Sequence, residues 1–266
     1  MGRESRRSGT VHVEPVPGEP AATATIEGER SLLVADYHAG YESGLRHDRG
    51  VDVPSQAPDR REQLVGLIEQ IAPSRLVVLG DLMHSIGEPG GAERGELEVL
   101  VEQLPADLDV TVVKGNHDGQ IETWLADVTV VPGAGRALGS VGVCHGHTWP
   151  EPAVLECDVV CMGHEHPCVR LEDEVGGNRV ERAWLRGRLD PSGFRDRSAY
   201  DGVSWLETDQ ATPPRVVVVP AFNELVGGTW INVPGQSFLA PFLPSGLADG
   251  EAYLLDGTRL GPYRSV

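Results

Sequence analysis

Residues 75–81 read Arg75-Leu-Val-Val-Leu-Gly-Asp81, and residues 110–118 read Val110-Thr-Val-Val-Lys-Gly-Asn-His-Asp118. Each is a short apolar run, rich in β-branched residues, that stops at a glycine followed by polar side chains. Such runs read as buried strands. Between them, Glu93–Leu104 has helical character and is stopped by Pro105. Upstream, the segment that starts at Pro58 carries Leu64, Leu67, Ile68 and Ile71 at helical spacing and is closed by Pro73. Thr23–Ile26 and Leu32–Ala35 flank Glu-Gly-Glu-Arg and read as an opening β-hairpin. The first half is therefore strand, helix, strand, helix, strand, and right-handed crossovers make a parallel sheet from that order.

The second half changes character. Val128–Val131, Ala137–Cys144, Val159–Met162, Cys168–Glu172, Val180–Leu185 and Arg215–Val219 are strand-like runs with few helices between them. Gly176-Gly177-Asn178 reads as a hairpin turn, and Leu254–Leu255 as the start of a last strand. Residues 1–20 are polar and rich in Gly, Pro and Arg, which predicts a loose tail ahead of one domain over 21–266.

Composition narrows the field. The chain has 266 residues, 40% hydrophobic and 23% charged, enough to build a sizeable core. No window approaches the roughly 18 consecutive apolar residues of a membrane span, and the opening residues lack the apolar stretch of a signal peptide. A formal charge of −18 argues against a general nucleic-acid or anionic-membrane binder. Lys114 is the single lysine among 22 basic residues. That pattern fits either a cytoplasm of high ionic strength, as in a halophile, or a genome that favours Arg codons. Cys144, Cys157, Cys161 and Cys168 lie in one stretch with no secretory signal, so reduced, buried thiols in a cytoplasmic protein are expected.

Chemistry concentrates in five short segments. They are Asp36-Tyr-His38, Gly80-Asp81, Gly115-Asn116-His117-Asp118, His145-Gly-His147 and Gly163-His164-Glu-His166. Each follows a predicted strand, and sites in open α/β sheets form at the carboxyl ends of strands. In extended backbone, residues i and i+2 point the same way, so Asp36 with His38, and His164 with His166, can each present two ligands to one place. Six of the nine histidines fall in these segments, with His84 nearby, which makes chance clustering a poor account. Asp, Asn and His are donors of intermediate hardness that suit Mn²⁺, with Fe²⁺, Zn²⁺ or Co²⁺ as alternatives. Seven candidates exceed what one tetrahedral ion requires, whereas two ions sharing a carboxylate would use them all. Gly80, Gly115 and Gly163 read as turns that also let backbone approach such ions.

The five segments, in this order, resemble the calcineurin-like metallophosphoesterase superfamily, whose pattern runs D-x-H, G-D, G-N-H-D/E, H and G-H-x-H. Ala35-Asp-Tyr-His-Ala-Gly-Tyr-Glu42, Leu79-Gly-Asp-Leu-Met-His84, Cys144-His-Gly-His-Thr-Trp-Pro150 and Pro220-Ala-Phe-Asn-Glu-Leu-Val-Gly-Gly228 are similar to its ICC-like predicted phosphoesterases, a group that includes DNA-ligase-associated members. The resemblance implies a four-layer α/β/β/α sandwich of two mixed sheets flanked by helices. It implies one ion on Asp36, His38, Asp81 and His166, and a second on Asp81, Asn116, His145 and His164. His117 is implied beside the leaving group. His84 and His147 are candidate substrate contacts. Protein phosphatases of this superfamily continue G-D as G-D-x-x-D-R; here those positions are His84 and Ser85, which argues against that activity.

The implied reaction is hydrolysis of a phosphodiester or nucleotide-like ester. Two divalent ions bring four positive charges and Asp36 and Asp81 return two negative ones. A bridging hydroxide of lowered pKa would then attack phosphorus in line. A DNA nuclease or repair-associated factor is the alternative, and a non-catalytic scaffold is argued against by the presence of His117. Trp149 and Tyr37 read as core residues before base-stacking ones. Arg179, Arg182, Arg186, Arg188, Arg195 and Arg197 read as a solvated surface before an anion-guiding rim.

Overall fold

The computed structural model describes residues 12–86, 90–123, 125, 128–173, 175–208 and 210–266. Two mixed sheets lie face to face. The first runs β1(Val13–Pro15), β2(Ala21–Ile26), β3(Glu29–Val34), β4(Arg75–Val78), β5(Asp109–Val113) and β6(Thr129–Val131) in spatial as well as chain order. β3 to β6 are parallel, as the alternation of strands and helices predicts. The crossovers carry α1(Tyr41–Arg49), α2(Ala57–Ile71) and α3(Gly91–Gln103).

The second sheet has eight strands. They are β7(Arg136–Leu138), β8(Val141–Cys144), β9(Val159–Met162), β10(Cys168–Glu172), β11(Asn178–Leu189), β12(Arg215–Val218), β13(Leu247–Leu254) and β14(Arg259–Pro262). β8, β9 and β12 are parallel and the rest antiparallel. The single run read over Ala137–Cys144 is two strands, because Gly139 takes a positive φ of 62° and turns the chain.

Alternation along the central strands builds three apolar layers. Leu32, Val34, Leu76, Val78 and Val112 face Leu64, Leu67 and Ile68 of α2 and Leu97 and Leu100 of α3. Leu33, Ala35, Val77, Leu79 and Val113 face the other way, against Val143, Val159, Cys161, Val217 and Val219 of the second sheet. Val160, Met162, Val216 and Val218 point outward from that sheet, onto Phe194, Tyr200, Trp205 and Phe242. Both faces of these strands are covered, which is why they read as continuous apolar runs. Among the described residues this outer layer carries the one-turn helices α4(Pro152–Leu155) and α5(Ser204–Glu207) and short 3₁₀ turns, so aromatic loops do most of the covering.

Part of the tail expected over residues 1–20 lies outside the described residues. Within the rest, Val13–Pro15 pairs with Ala22–Ala24, and Val13 is buried between the sheets, so it is strand and not loose chain. No helix among the described residues is long and apolar enough to cross a membrane. The packing brings the carboxyl ends of β3, β4 and β5 and those of β8 and β9 to one edge.

Candidate metal centre

The five segments converge at that edge. Asp36, His38, Asp81 and His166 offer ligand atoms within 4.8 Å of one another, and so do Asp81, His145 and His164. Asp81 belongs to both groups. Its Oδ2 lies 3.7 Å from Nε2 of His38, 3.4 Å from Nε2 of His145 and 4.0 Å from Nε2 of His117. Asn116 joins the second group, with Oδ1 3.2 Å from His145 Nε2. His166 Nε2 is 3.4 Å from Asp36 Oδ1. All seven candidate ligands therefore surround one small volume, most of it buried.

The backbone achieves this differently from the extended i, i+2 geometry. Asp36, His38, Asp81, His164 and His166 all have positive φ, between 43° and 70°, and they are five of the eight non-glycine residues with positive φ among those described. A left-handed residue costs roughly 1–2 kcal/mol. The concentration of five such residues at three sharply curled strand ends, those of β3, β4 and β9, shows where the fold stores strain. His164 and His166 consequently enter different groups. Two glycines make the curl sterically feasible. A Cβ on Gly80, whose φ is 96°, would lie 2.1 Å from His145 Nδ1, and one on Gly115 would lie 1.9 Å from Asp81 Oδ1.

Main-chain carbonyls set the imidazole tautomers. Nδ1 of His145 donates to the Leu79 carbonyl (2.7 Å), Nδ1 of His166 donates to that of Gly227 (2.8 Å), and Nδ1 of His117 donates to that of His84. A carbonyl only accepts, so each Nε2 is turned inward as a lone-pair or proton-carrying atom. Nε2 of His38 and of His166 are buried without any hydrogen-bond partner. Orphaned buried nitrogens of this kind, beside two buried carboxylates, are what a divalent cation would satisfy, and the donor set fits one.

Electrostatics follow from burial and from this crowding. Burial holds His38 neutral, well below its usual range. It also pushes His164 down to about 3, helped by the charge of His145. Burial opposes charge on His145 too, but hydrogen bonding and attraction from Asp81, then Asp36, lift it to about 9. Burial would raise Asp81, yet His145, His38 and His117 together hold it below the usual carboxylate range.

His84 and His147 flank the two groups. The His84 ring stacks on that of His117 with centroids 5.4 Å apart, and its Nδ1 is 3.5 Å from Nδ1 of His38. The ring of His147 lies 5.2 Å from that of His145 and 6.0 Å from that of His164. Tyr37 and Trp149 are core residues. Tyr37 stacks on Phe222 beneath Arg60, and Trp149 packs against Phe194 and Phe242 under the Arg197 guanidinium. Arg182 and Arg188 direct their guanidinium groups onto the main-chain carbonyls of Ala221, Phe222 and Pro213.

Several positioning residues escape a motif reading. Asp118 is fully buried and accepts from the amides of Met83 (2.9 Å) and Gly115 (2.7 Å), which ties the Asp81 loop to the Asn116 loop. Burial pushes its carboxyl up to about 6. Glu93 accepts from the amides of His84 and Ser85, at 2.5 and 2.8 Å. Glu165, between two candidate ligands, turns away and accepts from the Ala240 amide (2.6 Å) and Thr229 Oγ1 (2.9 Å). Asn223 donates from its side chain to the His38 carbonyl (3.3 Å). The sequence signals for these residues are their places in motifs, Asp118 in Gly115–Asp118, Glu165 between two histidines and Asn223 in the stretch 220–228, whereas Glu93 has none.

No family model matches the chain, and no curated protein matches it. Its fold does match solved structures. Pseudomonas putida nuclease MPE superposes with a TM-score of 0.55 at 20% identity, over 94% of this chain and 100% of that one. The phosphoesterase Yfce from E. coli gives a TM-score of 0.35 at 23% identity, over 54% of this chain and 73% of that one. At this identity the nuclease match shows the fold alone: two mixed sheets flanked by helices.

Proposed function

We propose that the chain is a metal-dependent phosphoester hydrolase. Its two ions would be held by Asp36, His38, Asp81 and His166, and by Asp81, Asn116, His145 and His164. The observation that carries this reading is the shared carboxylate: Asp81 belongs to two ligand groups whose remaining members are inward-turned imidazoles and one more buried acid. The bound cations would supply positive charge for the phosphoryl oxygens and water activated near neutral pH.

The chain's own residues do the rest. Asp36 and Asp81 neutralise part of the cation charge without cancelling it. His117 has its Nδ1 proton fixed on the His84 carbonyl, so Nε2 is the atom that carries a proton to the leaving oxygen. Asp118 and Glu93 hold the loops that bear Asp81, His84 and Asn116. No side chain is required as a covalent phosphoryl acceptor.

We assign a phosphodiester or nucleotide-like ester as substrate, Mn²⁺ as the working ion, and the cytoplasm as compartment. The last rests on four buried, unpaired thiols that suit a reducing environment. The test is direct. Purified protein loaded with Mn²⁺ should bind close to two ions per chain and hydrolyse bis-p-nitrophenyl phosphate, and Asp81→Asn should lose both. Two bound ions without turnover on any phosphoester would refute the reading. A nuclease activity is the second reading, favoured by full-length likeness to a nuclease fold and opposed by the charge of −18. Metal-dependent, salt-sensitive degradation of single-stranded DNA would select it.

A further inference from the structure

A cavity of about 600 Å³ opens beside the metal centre, between α1 and the start of α3. Tyr41 and Ser43 form one wall, Ala92 the other, and His84 and His117 close its inner end. His117 has been given a place in the chemistry, and His84 holds its ring through a main-chain carbonyl; the place of His117 explains the cavity. In an in-line displacement the attacking and leaving oxygens lie on opposite sides of phosphorus. The group that protonates the leaving oxygen therefore stands on the leaving side. His117 has Nε2 toward Asp81 and its ring edge on the cavity, so whatever hangs from the leaving oxygen extends past His117 into this space.

The walls define the chemistry of that group. Tyr41 packs edge-on against His84 with centroids 4.7 Å apart, and His84 stacks on His117 at 5.4 Å and 13°. The three rings give the cavity an aromatic lining, with Tyr41 tilted 62° to His84, against which a ring can stack or pack edge-on. The cavity's charges do not favour an anion. Asp48 and Arg49 oppose each other, and the carboxylate of Glu93 is engaged by the amides of His84 and Ser85. A volume of about 600 Å³ falls inside the roughly 300–1,000 Å³ of small-molecule sites and far exceeds what a methyl or ethyl alcohol would fill.

We infer that this cavity receives the leaving group of the ester, and that the leaving group is an uncharged, ring-bearing alcohol of nucleoside size rather than a polyphosphate or a small alcohol. The inference rests on the hydrolase reading above and names the specificity element of that site.

Two esters separate the claims. Thymidylyl-(3′→5′)-thymidine and thymidine 3′-(methyl phosphate) share the phosphoryl side and differ only in the leaving group, a nucleoside in one and methanol in the other. Ser43→Trp and Ala92→Trp, on opposite exposed walls, each fill the cavity without touching a candidate ligand; having both guards against one failing to fold. Each variant with unchanged melting temperature and Mn²⁺ content should lose at least tenfold in kcat/KM on the dinucleoside ester and less than threefold on the methyl ester. Free thymidine at millimolar concentration should shift the amide resonances of Ser43 and Ala92 in the wild-type protein. Equal losses on both esters, no loss on either, or no shift at those amides would overturn the leaving-group pocket and leave the hydrolase reading standing. Cleavage of bis-p-nitrophenyl phosphate but of neither thymidine ester by the Mn²⁺-loaded wild type would overturn the leaving-group assignment alone, and cleavage of none of the three would overturn the hydrolase reading with it.

Discussion

The imidazole of His117 is held by the main chain of His84: Nδ1 of His117 donates to the His84 carbonyl, and the two rings stack 13° from parallel. The orienting group is thus a peptide oxygen, that of the residue standing where the G-D-x-x-D-R pattern of protein phosphatases has its second aspartate. A carbonyl survives substitution of the residue that owns it. His117→Ala should therefore reduce kcat by about 10²–10⁴-fold with Mn²⁺ content unchanged, the range of a positioned general acid. His84→Ala should cost much less on a small nitrophenyl ester, because the carbonyl remains. Steady-state kinetics beside metal analysis decides it. Comparable losses in the two variants would mean that the His84 ring itself takes part in the reaction.

Asp118 joins the two loops on which the shared carboxylate depends, by accepting from Met83 N and Gly115 N inside the protein. Asp118→Ala strands two buried amides, each worth about 1–3 kcal/mol when unsatisfied. The expected loss is about 2–5 kcal/mol in urea unfolding, with weakened Mn²⁺ uptake, because Asp81 and Asn116 lose their common brace. A variant as stable as wild type would show that water replaces the carboxylate.

Arg60 carries the same logic to the base of α1. Its guanidinium meets Glu42 at 3.3 Å and Glu96 at 2.7 Å, and the side chains of all three are at most 5% exposed. The two carboxylates also accept from the amides of Gln56 and Gly40. Removal of one partner from a buried ionic cluster typically costs about 3–5 kcal/mol, since the remaining charges are left in a medium that cannot solvate them. Arg60→Ala should lose that much stability. The double change Arg60→Met with Glu96→Gln should recover part of it, and no recovery would show that packing and not charge dominates.

These residues also mark what the sequence could disclose. The strands were legible because both faces of each are covered and the runs stay apolar from Leu32 to Val34, Leu76 to Val78 and Val159 to Met162. The candidate ligands were legible because they sit at strand ends in short, unusual combinations. α1 was not: Tyr41–Arg49 is almost wholly polar and buries only Glu42, so no apolar stripe announces it. The i, i+2 argument brings Asp36 and His38 into one group, though through a different backbone, whereas His164 and His166 enter different groups. Positive φ at Asp36 and His38 is imposed by the turn into α1 and by hydrogen bonds from Asp36 N and His38 N to the carbonyls of Gly80 and Asp81, a tertiary effect without a local signal. Asp118, Glu93 and Glu165 look like surface acids in the sequence and become positioning residues only once their partners arrive from other loops.

Metal removal should be visible in stability. The centre places two buried carboxylates among imidazoles with orphaned nitrogens, an arrangement that cations relieve in the folded chain alone. A ligand at about 100 times its Kd stabilises the folded state by about 2.7 kcal/mol. For a chain of this size that is a rise of about 5–10 °C in melting temperature. Calorimetry with EDTA and then with excess Mn²⁺ should show it, and Asp81→Asn should abolish the difference. Equal melting temperatures in both conditions would argue that no ion binds at the shared carboxylate.

The four thiols give a pH dependence independent of any metal. Burial pushes Cys144 and Cys161 up to about 12, and Cys157 and Cys168 up to about 11. In the unfolded chain a thiol ionises near 8.5. A folded pKa above the unfolded one means that the native state holds protons the unfolded state has released. The stabilisation is fully present below about pH 8.5 and is lost progressively as pH climbs toward 11–12. At pH 8 the native protein should therefore resist a thiol reagent that labels four cysteines per chain in guanidinium. Urea midpoints should fall steadily above about pH 9, and replacement of Cys144 and Cys161 by Ala, which removes two of the strongest shifts, should flatten that fall whatever it costs in packing at neutral pH. A native chain labelled at pH 8 as quickly as the unfolded one would show that its thiols are open to solvent, and the alkaline loss would then need another source.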